Sequence, residues 1–65
     1  PMKVILPDNT TRIMEECPES VEALLLLLGI NPLEVIVSRN GTLVSETAAI
    51  GKDDDIRIIR IAHGG

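Results

Sequence analysis

The sequence predicts an α+β domain in which one helix covers one face of a mixed sheet of four or five strands. Three observations lead there. One stretch, residues 20–29, has helix-capping residues at both ends and an apolar stripe between them. Short apolar runs bounded by Pro, Asn, Gly and Asp lie on both sides of it. The 65 residues fit a single domain, so these elements share one core and stack as two layers.

The elements follow in order. Residues 2–6 form an apolar run ended by Pro7, and Met2, Val4 and Leu6 share one face at the two-residue period of a strand. Pro7-Asp8-Asn9 is a turn cluster, and residues 11–16, with Ile13 and Met14, return as the second strand of a hairpin. Cys17-Pro18-Glu19 breaks that strand. Ser20 is a good N-cap, because its hydroxyl can accept from free amides of the first helical turn. Val21, Leu24, Leu25 and Leu28 recur at helical spacing, Gly29 suits a left-handed C-terminal cap, and Pro32 prevents continuation. Val35-Ile36-Val37-Ser38 is a β-branched strand, Asn40-Gly41 favours a type I′ turn, and Thr42-Leu43-Val44 returns. Residues 45–51 read as a loop with a helical turn, 52–55 as a polar turn and 56–61 as the last strand. Should the first and last strands pair in parallel at the sheet centre, the fold is a β-grasp. Periodicity alone leaves that pairing open.

Composition narrows the function. The chain has 45% apolar residues and no aromatics, so its core consists of aliphatic side chains and Met. The net charge is −4 with a pI near 4.7, and neither a basic stripe nor stacking rings are present. Direct nucleic-acid binding is therefore not expected. A single cysteine, Cys17, excludes an internal disulfide. No apolar run approaches the roughly 20 residues of a membrane span. Pro1-Met2-Lys3-Val4 does not read as a signal peptide, so the cytoplasm is the expected location. One His, one Cys and no Gly-rich phosphate loop give no catalytic constellation, and the chain is not expected to be an enzyme.

The stretch Asp54-Asp55-Ile56-Arg57-Ile58-Ile59-Arg60-Ile61-Ala62-His63-Gly64-Gly65 resembles the C-terminal strand and tail of ThiS/MoaD-type sulfur carriers, a group that includes small archaeal ubiquitin-like modifiers. The capped helix ending Leu28-Gly29-Ile30 and the strand–Asn40-Gly41–strand hairpin are similar to the same family, so the resemblance covers nearly the whole chain. It implies a β-grasp over residues 1–63 and a flexible Gly64–Gly65 tail. It further implies that a ThiF/MoeB-like partner uses ATP to adenylate the Gly65 carboxylate, which then becomes a thiocarboxylate. The carrier itself binds no cofactor. Its sulfur passes to an acceptor enzyme of thiamine or molybdopterin/tungstopterin synthesis, or to tRNA thiolation. The alternative is a protein modifier joined through Gly65 to lysines of target proteins. A plain β-grasp interaction module is the third reading. Two departures stand out: Asp53-Asp54 occupies a place that is often Gly-Asp, and Leu26 and Leu27 replace polar helix residues.

The remaining candidates follow from placement. Ile56 and Ile58 should face the core, leaving Arg57, Ile59 and Ile61 on the opposite face as a docking patch beside the tail. Arg57 and Arg60, and His63 where it abuts the glycines, complete the expected partner-docking set as cations for acidic groups of the partner. Leu26 and Leu27 fall opposite the helix's core stripe and suggest weak self-association, unless the 45–51 loop covers them. Cys17 is expected to be a small packed side chain, and Asp53-Asp54-Asp55 a solvated turn rather than a metal site.

Overall fold

In the computed structural model, residues 1–61 are described. Ala62, His63, Gly64 and Gly65, and with them the expected tail, lie outside the described residues. The elements are β1 (Met2–Ile5), β2 (Thr11–Met14), α1 (Val21–Leu28), a 3-10 turn (Pro32–Glu34), β3 (Val35–Arg39), β4 (Thr42–Val44) and β5 (Asp55–Arg60). They form an α+β domain with one α-helix and a mixed five-stranded sheet.

The strand order is β2-β1-β5-β3-β4. The first and last strands therefore meet at the centre, in parallel, with Val4 opposite Ile56. β5 pairs antiparallel with β3 from Arg39↔Ile56 to Val35↔Arg60, and the two hairpins add β2 and β4 as edges. Alternation along β5 buries Ile56 and Ile58 as expected. They pack with Met2, Val4, Val35, Val37 and the helix stripe Val21, Leu24 and Leu25, while Leu28 is only partly buried against this cluster.

Both helix ends are closed locally. The Ser20 hydroxyl accepts from the Ala23 amide at 3.2 Å. Gly29 adopts φ 74°, its amide donates to the Leu26 carbonyl at 3.1 Å, and the Ile30 amide donates to the Leu25 carbonyl at 2.9 Å. This is the Schellman arrangement, and it folds Ile30 back against the core. The β3–β4 turn has positive φ at Asn40 (54°) and Gly41 (87°), as a type I′ turn requires.

Residues 45–50 differ from expectation. They contain no helical turn; they run along the start of α1. The Ala48 and Glu46 carbonyls accept from the Val21 and Glu22 amides at 3.1 and 2.9 Å, and Ser20 bridges to Ala49. The first amides of any helix lack intrahelical partners, and this loop supplies two. Ile50, which had no assigned role, closes that end of the core at 9% exposure.

Replacing Ile58 by Ala opens a cavity beneath α1 and is expected to cost about 2–5 kcal/mol in urea denaturation. Arg57→Thr, one residue away on the other face, is expected to stay within about 0.5 kcal/mol of wild type.

Candidate functional site

The helix covers one face of the sheet, and the described residues leave the other face open. The register places Arg57 of β5 between Ile5 of β1 and Ser38 of β3, with Leu43 of β4 beyond Ser38. The next row joins Ile59 directly to Ile36. Val35 and Val37 are drawn to the core, so alternation leaves Ile36 outward at 41% exposure, beside Ile59 at 39%. Open faces of antiparallel sheets are ordinarily polar, so a cross-strand isoleucine pair beside exposed Leu43 is an apolar patch in water. At its edge the Ile61 amide donates to the Glu34 carbonyl at 2.9 Å, which continues the β3–β5 ladder one residue past the strand. The chain is thus held up to the residue just before 62–65.

Arg57, Ile59 and Ile61 therefore fall on one face, as the alternation predicts. Arg60 does not join them. It has the parity of Ile58 and lies at the helix side, exposed, where it lines a shallow depression of about 260 Å³ together with Arg12, Leu6, Leu28 and Ile30. The two arginines of β5 consequently point to opposite sides of the sheet. His63 lies outside the described residues, as do Gly64 and Gly65.

The start of β5 is fixed by a clamp that no periodicity encodes. The Asn40 side chain donates from Nδ2 to Asp54 Oδ1 at 3.0 Å and accepts at Oδ1 from the Asp55 amide at 2.9 Å. Its own amide donates to the Asp55 carbonyl at 2.8 Å. The other carboxylate oxygen of Asp54 accepts from the Gly51 amide at 2.7 Å. These bonds favour the charged carboxylate, and with the nearby Arg39 charge they hold Asp54 below the ordinary carboxylate value; the Gly51 amide contributes most. Asp53 does not enter the left-handed region, so it sits in this turn without backbone strain. Among the described residues no cluster of His, Cys, Asp and Glu could hold a metal ion.

Two further expectations change. The 45–50 loop packs at the N-terminal end of α1, so it does not cover Leu26 and Leu27, which are 64% and 58% exposed. Two leucines supply a small part of the ~800 Å² that each partner of a stable complex buries, so self-association through them alone would be weak. Cys17 is exposed rather than packed, with its Sγ 3.5 Å from the Ile50 carbonyl oxygen.

The residues that sequence reasoning missed are Ile5, Ile36 and Leu43 on the open face, and the Asn40–Asp54 clamp. Alternation through β3 could have found Ile36. The clamp joins residues 14 apart in the chain and carries no local signal. No protein-family model matches the chain, and no curated protein matches it. No helix among the described residues is long and apolar enough to cross a membrane.

The Asp54 carboxyl titrates lower in the folded chain than in the unfolded one. Its stabilisation is therefore present above the unfolded value, near 3.8, and is lost as pH falls through the folded value. Asp54→Asn is expected to melt below wild type at pH near 7, and thermal scans should see the gap close as the pH drops below about 4.

Proposed function

We propose that this chain is a β-grasp sulfur carrier of the ThiS/MoaD kind, charged at Gly65 by an ATP-using partner of the ThiF/MoeB kind. The observation that carries the reading is the position of β5. It is the central strand, parallel to β1 and antiparallel to β3, and the ladder holds it as far as Ile61. The parallel pairing of first and last strands is what a β-grasp requires. It also ties down the end of the described chain: Ile61 lies beside the open face carrying Arg57, Ile59 and Ile36, and residues 62–65 follow it in sequence.

The chemistry needs little from the carrier itself. A carboxylate is a poor electrophile until it gains a leaving group. A Gly65 carboxylate oxygen attacks the α-phosphorus of ATP, pyrophosphate departs, and an acyl-adenylate forms in the partner's site. Hydrosulfide, as the sulfide-level sulfur donor, then attacks the carbonyl carbon, the C–O bond to AMP breaks, AMP departs, and loss of the sulfur-bound proton leaves a thiocarboxylate. Glycines at 64 and 65 suit threading into a narrow site, because they add no side chain and allow backbone conformations closed to other residues. The Ile36–Ile59 pair supplies an apolar docking contact, and Arg57 beside it suits an acidic group on the partner. Binding energy spent there positions the terminus without taking part in the reaction.

The test is ATP–pyrophosphate exchange with the ThiF/MoeB-type enzyme of the same cell. Wild type is expected to support exchange, and deletion of Gly65 to abolish it. Ile59→Asp is expected to raise KM about tenfold or more, equivalent to ~1.4 kcal/mol, with kcat little changed. Full exchange by the Gly65-deleted protein would overturn the reading. Recovery of Gly65 linked to lysines of other proteins, in place of a thiocarboxylate, would move it to the protein-modifier alternative.

A further inference from the structure

Asn40 and Gly41 stand exposed at the tip of the β3–β4 hairpin. In an Asn-Gly pair the second backbone nitrogen reaches the asparagine side-chain carbonyl with least hindrance, because glycine has no Cβ. Here the surroundings are open as well: nothing lies within 4 Å of where a Cβ on Gly41 would sit. The reaction open to such a pair is cyclisation. The Gly41 nitrogen loses its proton and bonds to Asn40 Cγ, the Cγ–Nδ2 bond breaks, and Nδ2 leaves as ammonia. Water then opens the succinimide at either carbonyl, giving aspartate or isoaspartate. Water is the only co-reactant, and nothing is oxidised or reduced.

The folded protein opposes this first step. The Asn40 side chain is turned toward residues 54 and 55, with both of its polar atoms bonded there, at 3.0 Å to Asp54 and 2.9 Å from the Asp55 amide. Bringing Cγ to the Gly41 nitrogen means breaking both bonds. The same bonds fasten the start of β5 to the end of β3. We propose that Asn40 is a deamidation site gated by opening of this clamp, and that its product unfastens the start of β5.

The second half follows from donor and acceptor chemistry. An aspartate at position 40 has no Nδ2 donor, so its second oxygen would face Asp54 Oδ1 as acceptor against acceptor and charge against charge. Asp53 and Asp55 flank Asp54 in the chain, and Lys52 precedes them. Arg39 is the cation that acts on Asp54, and its guanidinium is engaged with the Ala49 carbonyl. The new charge therefore adds to an acidic cluster. Isoaspartate would also insert a methylene into the backbone of a turn whose two central residues hold positive φ.

The experiment follows deamidation by mass spectrometry at mildly alkaline pH, in the folded protein, in Asp54→Ala and in a free peptide of residues 38–43. The folded protein is expected to react several-fold more slowly than the peptide, with Asp54→Ala between them. Asn40→Asp is the companion variant, and it needs no slow incubation. It is expected to melt below wild type at neutral pH, to regain most of the loss under acid where one carboxyl protonates, and to shift the Gly51 and Asp55 amide resonances. Equal rates in folded protein and peptide would overturn the gating. An Asn40→Asp protein with unchanged melting and unchanged resonances from 51 to 55 would overturn the release of β5.

Discussion

The parallel pairing of β1 and β5 is the constraint on which the rest of this structure depends. It brings the two ends of the described chain to the middle of the sheet, where Val4 and Ile56 are both fully buried. β5 then receives ladder partners on both sides, and the hairpins can only add at the edges. Without aromatic rings the core has no single dominant side chain. Each buried Leu, Ile, Val or Met contributes only about 1.5–3 kcal/mol, and the margin of a domain this small is thin. The local closures therefore matter: the Ser20 cap, the Schellman end at Gly29, the 45–50 loop on the helix amides and the Asn40–Asp54 clamp all satisfy backbone or side-chain groups that would otherwise be left to water.

How far the sequence revealed this depended on whether the signal was local. The helix and both its ends were legible, because Ser20, the 21-24-25-28 stripe and Gly29 act within one or two turns. The Asn40-Gly41 turn and the burial of Ile56 and Ile58 were legible for the same reason. The 45–50 loop was not. Its role is to accept hydrogen bonds from amides some 25 residues earlier in the chain, through backbone carbonyls that any sequence possesses. The clamp was hidden in a similar way. Asn40 was readable as a turn residue, but its side chain answers to residues 54 and 55, which only the β3–β5 register brings near.

The candidate site shows the same division. Strand parity alone separated Arg57, Ile59 and Ile61 from the core. It also places Arg60 on the opposite side, so the docking residues expected along β5 resolve into two surfaces. One is the open sheet face with Ile36, Ile59 and Arg57. The other is the shallow depression where Arg60 and Arg12 meet Leu6, Leu28 and Ile30. A partner on the open face meets apolar surface and one guanidinium, on a protein whose net charge is otherwise negative.

The central claim is that the terminal carboxyl group at Gly65 is the working group. The most direct measurement is a mass spectrum of the C-terminal peptide from protein isolated from its own cells, with thiocarboxylates trapped by alkylation at lysis. The account predicts a population in which sulfur replaces one oxygen of the Gly65 carboxyl group. A trapped sample in which every Gly65 carboxyl group retains both oxygens, under conditions that capture a thiocarboxylate standard, would contradict it.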